Sequence, residues 1–125
     1  MTIAEAAAAL RARRVSSLEL TTECLHQIAA RPELNAFITV TTDLARAQAA
    51  AADQELAAGH DRGPLHGVPV ALKDVFRTRG IRTTCGSPLF SGYVPDHDAA
   101  VTTKLREAGA VLLGKTGLHE LAYGI

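Results

Sequence analysis

The chain has 125 residues, 47% of them apolar and 21% charged, an ordinary globular composition that allows one domain at most. Its formal net charge of +0 excludes the broad basic field that duplex DNA or an anionic membrane would attract, so neither is expected as a partner. The opening MTIAEAAAAL lacks the basic flank and long apolar core of a secretory leader, and no run is long enough to cross a bilayer, which makes the cytoplasm the expected compartment.

The first half reads as helical. Thr2 and Glu5 stand at capping-box spacing, and Ile3, Ala6, Ala7 and Leu10 recur at i, i+3, i+4 and i+7, which predicts a short amphipathic helix with a thin apolar face. Ser16 and Glu19 repeat the box. Val15 and Leu20 fall at the positions of a hydrophobic staple, and Leu18, Leu25 and Ile28 continue the stripe until Pro32 stops it. AFITV, after Asn35, is a short strand candidate. Residues 41–58 form an alanine-rich third helix, with Leu44, Ala47, Ala51 and Leu56 on roughly one side and Gly59 as its stop.

After the polar HDRG the pattern changes to buried strands. VPVAL, residues 68–72, is apolar on both faces, as expected of a strand covered by helices on each side, although Pro69 favours a strand end or an edge. Gly80, Gly86, Pro88, Gly92 and Pro95 make residues 77–96 irregular. Asp98 is placed to cap a helix bearing Val101, Leu105 and Ala108, Gly109 is placed to end it, and AVLLG follows as a second buried strand. Strand, crossover helix and strand make a parallel unit, whose working site lies beyond the carboxyl ends of its strands.

Lys73 and Lys115 both fall at those ends. A lysine stripped of water there would have a depressed pKa and could serve as a base near neutrality, whereas the bland alternative is a solvated strand-end lysine. Asp74 adjoins Lys73, but neighbours on a strand point to opposite faces, so no ion pair between the two is implied. Lys115 reads either as a structural lysine or as one that faces a substrate.

GPLHGVPVALKD, TTCGSP, DHDAAVTTKLREAGAVLLGKT and HELAYG, taken in this order and spacing, resemble the amino-terminal portion of the amidase signature hydrolases. The resemblance is strong from about Gly63 onward and looser in the helical half. It implies an α/β fold, the first part of an α/β/α sandwich in which a helical front is followed by a partial mixed or parallel sheet. On that reading residues 1–125 are one incomplete amidase domain: 1–59 the helical segment with one short strand, and 60–125 the lysine strand, loop, crossover helix and second strand. By the resemblance Lys73 takes the place of a lysine that accepts a proton from a serine held in a cis peptide. That serine relays the effect to a second serine, which attacks an amide carbonyl. Both family serines lie in a Gly/Ser-rich signature absent from these 125 residues, so the chain alone is expected to be inactive and, with its sheet incomplete, poorly stable. The implied partner is a small-molecule amide in the full-length form, with no metal or organic cofactor. Gly117 stands where the glutamine-hydrolysing component of the family's tRNA-dependent amidotransferase usually carries asparagine, which leans toward the general hydrolases.

Other features weigh less. Ser87 and Ser91 lie in the loop after the lysine strand but lack the glycine context that exposes a nucleophile. Residues 109–116, GAVLLGKT, satisfy the phosphate-loop expression, yet AVLL favours a strand where a phosphate loop needs a turn. His119 begins HELA, half of a zinc-protease helix whose second histidine is replaced by Tyr123. His66 reads as a loop hydrogen-bonding residue; His26, His60 and His97 as surface or capping residues; and Arg77, Arg79 and Arg82 as a solvated turn. Cys24 and Cys85 lack CxxC spacing and read as buried or idle thiols. Beside the amidase reading stand a short interaction module, which could pair through an unpaired edge beside AVLLG, and a nucleotide-binding domain using Lys115.

Overall fold

In the computed structural model, which describes residues 1–124, helices α1 (Ile3–Arg11) and α2 (Ser17–Ala30) lead into strand β1 (Phe37–Val40) and helix α3 (Thr42–Ala57). Strand β2 (Pro69–Lys73), helix α4 (Ala100–Glu107) and strand β3 (Val111–Thr116) follow. Both expected capping boxes are present. The Thr2 and Ser16 side chains accept from the backbone N–H groups of Glu5 and Glu19, whose carboxylates accept from the cap residues in return, so the first orphan donors of α1 and α2 are satisfied locally. Asp53 of α3 adds a tertiary cap, accepting from Ser17 N at 2.6 Å and Leu18 N at 3.0 Å.

The three strands form one mixed sheet in the order β1-β3-β2, with β3 antiparallel to β1 and parallel to β2. The AVLLG run is therefore the central strand and not a free edge, because the short FITV segment supplies its second partner. The glycine in that run, Gly114, has a φ of 155° at the register shift between β2 and β3, and a side chain there would strike the Thr39 carbonyl of β1.

Two small cores anchor the sheet. Leu25 of α2 and Ala45 and Ala49 of α3 pack on Val111 and Leu113, while Ala7 and Leu10 of α1 pack on Val68. The buried stripe of α3 is Ala45, Ala49 and Ala52, and Leu44 is exposed, which corrects the expected face. Alanines bring the helix axis close to β3, where leucines would hold it off. Two further expectations are corrected. Asp98 does not cap α4: its carboxylate accepts from Arg79 N at 2.7 Å and pairs with Arg106 at 2.6 Å, leaving Ala99 at the cap. Nor is β2 covered on both faces. It is an edge strand in which Leu72 is buried but Ala71 and Lys73, on the alternate face, are exposed. Pro69 opens this strand, the position its missing N–H allows.

Gly109 closes the crossover helix with φ +73°, and its missing side chain makes room for the ring of His66. His66 is 1% exposed. Its Nδ1 accepts from Arg62 N at 3.1 Å, so Nε2 carries the proton and donates to Glu55 at 3.0 Å. The guanidinium of Arg62 binds the same carboxylate and holds it below the usual glutamate range, with His66 contributing. No helix among the described residues is long and apolar enough to cross a membrane.

Candidate active site

The parallel pair β2 and β3 ends at Lys73 and Thr116, which are register partners. Strand alternation then divides the chemistry at this tip between two faces. Leu72 and Lys115 are also register partners, and with Asp74 they share one face; Lys73 and Thr116 share the other.

On the first face everything is closed. Lys115 and Asp74 both have side chains 0% exposed, and Lys115 Nζ lies 3.0 Å from Asp74 Oδ1. That oxygen takes no hydrogen bond, so the charge contact is its compensation. The ammonium also donates to Phe76 O and to Thr83 Oγ1, each at 2.9 Å. Asp74 Oδ2 accepts from Thr84 N at 2.8 Å and from Thr84 Oγ1 at 2.6 Å. The TTCGS segment is thereby tied to the strand ends. Lys115 is a structural lysine, and GAVLLGKT is mostly strand β3, so the phosphate-loop reading fails on geometry: there is no turn of N–H groups to face an anion.

On the second face Lys73 is exposed, and among the described residues its side chain makes no hydrogen bond or ion pair. Its backbone is held all the same: Phe76 N donates to Lys73 O at 3.1 Å. The expected separation of Lys73 from Asp74 is present, since the carboxylate turns to Lys115. The sequence reasoning missed that pairing. The signal lay in the same alternation rule: if Asp74 leaves the face of Lys73, it enters the face of the next strand's buried lysine.

The loop beyond the strand tips is committed to structure. Ser87 Oγ donates to Glu120 at 2.6 Å and accepts from Leu89 N at 3.3 Å. Ser91 is exposed and ends the single turn Pro88–Phe90. Cys85 has φ +53°, and its carbonyl accepts from Leu121 N at 2.7 Å, which joins the TTCGSP and HELAYG blocks side by side. Cys24 and Cys85 are free thiols. Arg77, Arg79 and Arg82 are all exposed, in keeping with a solvated turn; Arg77 meets His97 at 3.1 Å, and Arg82 donates to Ile38 O at 3.2 Å. No group of three or more metal-ligating side chains occurs among the described residues.

The family model described as Amidase matches residues 19–125. The chain is 54% identical to a glutamyl-tRNA(Gln) amidotransferase subunit of Granulibacter bethesdensis, covering 99% of this chain and 25% of that protein. It is 48% identical to the corresponding mitochondrial subunit from Xenopus laevis, covering 99% of this chain and 24% of the relative. Among solved structures, the native peptide amidase from Stenotrophomonas maltophilia superposes with a TM-score of 0.90 at 41% identity, over 96% of this chain and 25% of its own. A vestigial protein complex that bears on the evolutionary origins of an s-triazine catabolic enzyme superposes with a TM-score of 0.94 at 36% identity, over 99% of this chain and 28% of its own. The chain spans about a quarter of the length of the curated relatives it matches.

Proposed function

This chain belongs to the amidase family, and from that premise we propose that it supplies the lysine-bearing, amino-terminal portion of an amide C–N hydrolase in which Lys73 is the general base. The observation that carries this reading is the contrast at the strand tips. Of the two lysines at the ends of the parallel pair, Lys115 has its ammonium enclosed by three protein groups, whereas Lys73 presents an uncommitted side chain on the open face. Further structure covering that face would exclude water, and exclusion of water disfavours the charged amine and makes it a proton acceptor.

In the mechanism implied by the resemblance, neutral Lys73 takes a proton from one serine, which in turn takes the proton of a second. The second serine's oxygen bonds to the amide carbon, the C–N bond breaks, and the proton passes to the leaving nitrogen. Water then releases the carboxylate. The two serines are not drawn from the residues described: Ser87 is already bound to Glu120 and Leu89. On this reading the 125 residues alone hydrolyse no amide at a useful rate.

Two relatives, 54% and 48% identical to this chain, are glutamyl-tRNA(Gln) amidotransferase subunits, and by the family resemblance that points to glutamine as the amide substrate. Gly117 remains the local departure that favours a general amidase. Ammonia release from glutamine and from C-terminal peptide amides, measured on the complete gene product, tests both readings. Lys73→Ala should lower kcat by about a thousandfold. Wild-type turnover in that variant, or equal turnover by the 125-residue chain alone, would overturn the proposal.

A further inference from the structure

The knot behind Lys73 is more polar than stability requires. A buried ion pair generally gains nothing over apolar side chains of the same volume, yet Lys115 and Asp74 are fully enclosed. What the pair accomplishes is to hold backbone. The Asp74 carboxylate grips Thr84 through both the N–H and the hydroxyl, beside backbone bonds that position 74 makes whatever its side chain, from its N to Thr116 O and to its O from Cys85 N, each at 3.0 Å. Lys115 fixes Phe76 O, the residue whose N–H closes the turn on Lys73 O. The peptide after Lys73 is therefore clamped to β3, to the 73–76 turn and to the TTCGS segment. Beside the β3 ladder and the backbone bonds at Lys73 O and Asp74 O, the side-chain ties to Thr84 and Phe76 fix the peptide that follows Lys73.

We propose that Asp74 and Lys115 are positioning residues for Lys73, a role that rests on Lys73 being the base. Their pair sets the direction in which Lys73 leaves the strand tip, and Thr84 transmits that alignment to the adjoining loop. A base must stand within hydrogen-bond reach of the proton it takes, and a misplacement of about 1 Å costs about a hundredfold in rate.

The test uses carboxamide turnover by the complete gene product. Asp74→Leu combined with Lys115→Met replaces the ion pair by apolar groups and leaves no buried charge unpaired. The expected result is a still cooperative thermal transition, lowered because Thr84, Phe76 O and Thr83 lose their partners, with kcat about a hundredfold lower and KM within about twofold. Wild-type kcat in this double variant would overturn the positioning role, because a purely structural pair is replaceable by good packing. Should the double variant not fold, Thr84→Val gives a second arm: it keeps the ion pair and the backbone donor and removes one hydroxyl. About a tenfold loss of kcat at unchanged KM is expected, with recovery in Thr84→Ser; unchanged kcat in Thr84→Val would overturn the inference. Lys73→Ala separates the two claims. If it retains turnover, the base assignment fails and takes the positioning role with it. If it abolishes turnover while the double variant stays fully active, only the positioning role fails.

Discussion

The two faces of the β2–β3 tip carry one lysine each, adjacent in register but opposite in state. On one face Lys115 is 0% exposed and its ammonium meets a carboxylate, a carbonyl and a hydroxyl. On the other, Lys73 is exposed beside exposed Ala71. The α2 and α3 layer covers β3 through Val111 and Leu113 and leaves this part of β2 bare. The comparison teaches that identical side chains at neighbouring strand ends take unlike roles according to which face the pleat assigns them. A closed face ties down the backbone, and an open face leaves its side chain uncommitted.

Stability should divide along the same line. Lys115→Ala leaves the enclosed Asp74 carboxyl with Oδ1 lacking the one contact that compensates it among the described residues, and breaking a buried pair from one side costs about 3–5 kcal/mol. Lys73→Ala, on the exposed side, should change stability by less than about 0.5 kcal/mol. Urea unfolding of the two variants of the 125-residue chain measures both. Equal losses would mean that the faces are not distinct in the way described.

A smaller effect is expected where the crossover helix turns into β3. Gly109→Ala puts a side chain at φ +73° against the His66 ring, with an expected cost of about 2 kcal/mol. The cost has two sources, which a second substitution separates. His66→Ala in the same chain removes the steric conflict but leaves the backbone strain, so introducing Gly109→Ala into that background should cost less than in wild type. An undiminished cost in thermal unfolding would show that the ring is not what the glycine accommodates.

How much of this is legible in the residues depends on how local each cause is. The capping boxes at Thr2–Glu5 and Ser16–Glu19, the glycine ends of α3 and α4, and the parallel β2–α4–β3 unit are all readable, because each is set within a few residues or by one crossover. Asp98 reads as a cap in sequence, but Arg79 and Arg106 compete for its carboxylate, and only the folded loop brings Arg79 N within reach. The face of α3 escapes the sequence because alanine marks no side of a helix: the stripe is chosen by how closely β3 can approach. The central position of β3 is hidden because FITV pairs with a segment more than seventy residues away. At the candidate site, Lys73 is legible from its strand-end position and the family resemblance. Its clamp is not, since Asp74 and Lys115 meet only through strand register.

The smallest expected effect lies in the helical half, at the starts of α1 and α2, and it concerns pH. The carboxyls of Glu5 and Glu19 are held below the usual glutamate range, first by the backbone N–H groups of Thr2 and Ser16 and then by their hydroxyls. A carboxylate whose pKa is lowered on folding contributes stability that is fully present above its unfolded value, about 4.3, and is lost as pH falls through the lower folded value. Both groups are solvent-facing, so the contribution is modest and screened by salt. Glu19→Gln mimics the protonated box: its amide oxygen can still accept from Ser16 N, but the negative charge at the start of α2 is gone. The variant should therefore melt slightly below wild type at about pH 7, where the wild-type carboxylate is ionised, with the deficit shrinking as pH falls below the unfolded value and vanishing only below the lower folded value, where the carboxyl is protonated in both states. A deficit that persists unchanged in acid would mean that side-chain shape, and not the charge, holds the start of α2.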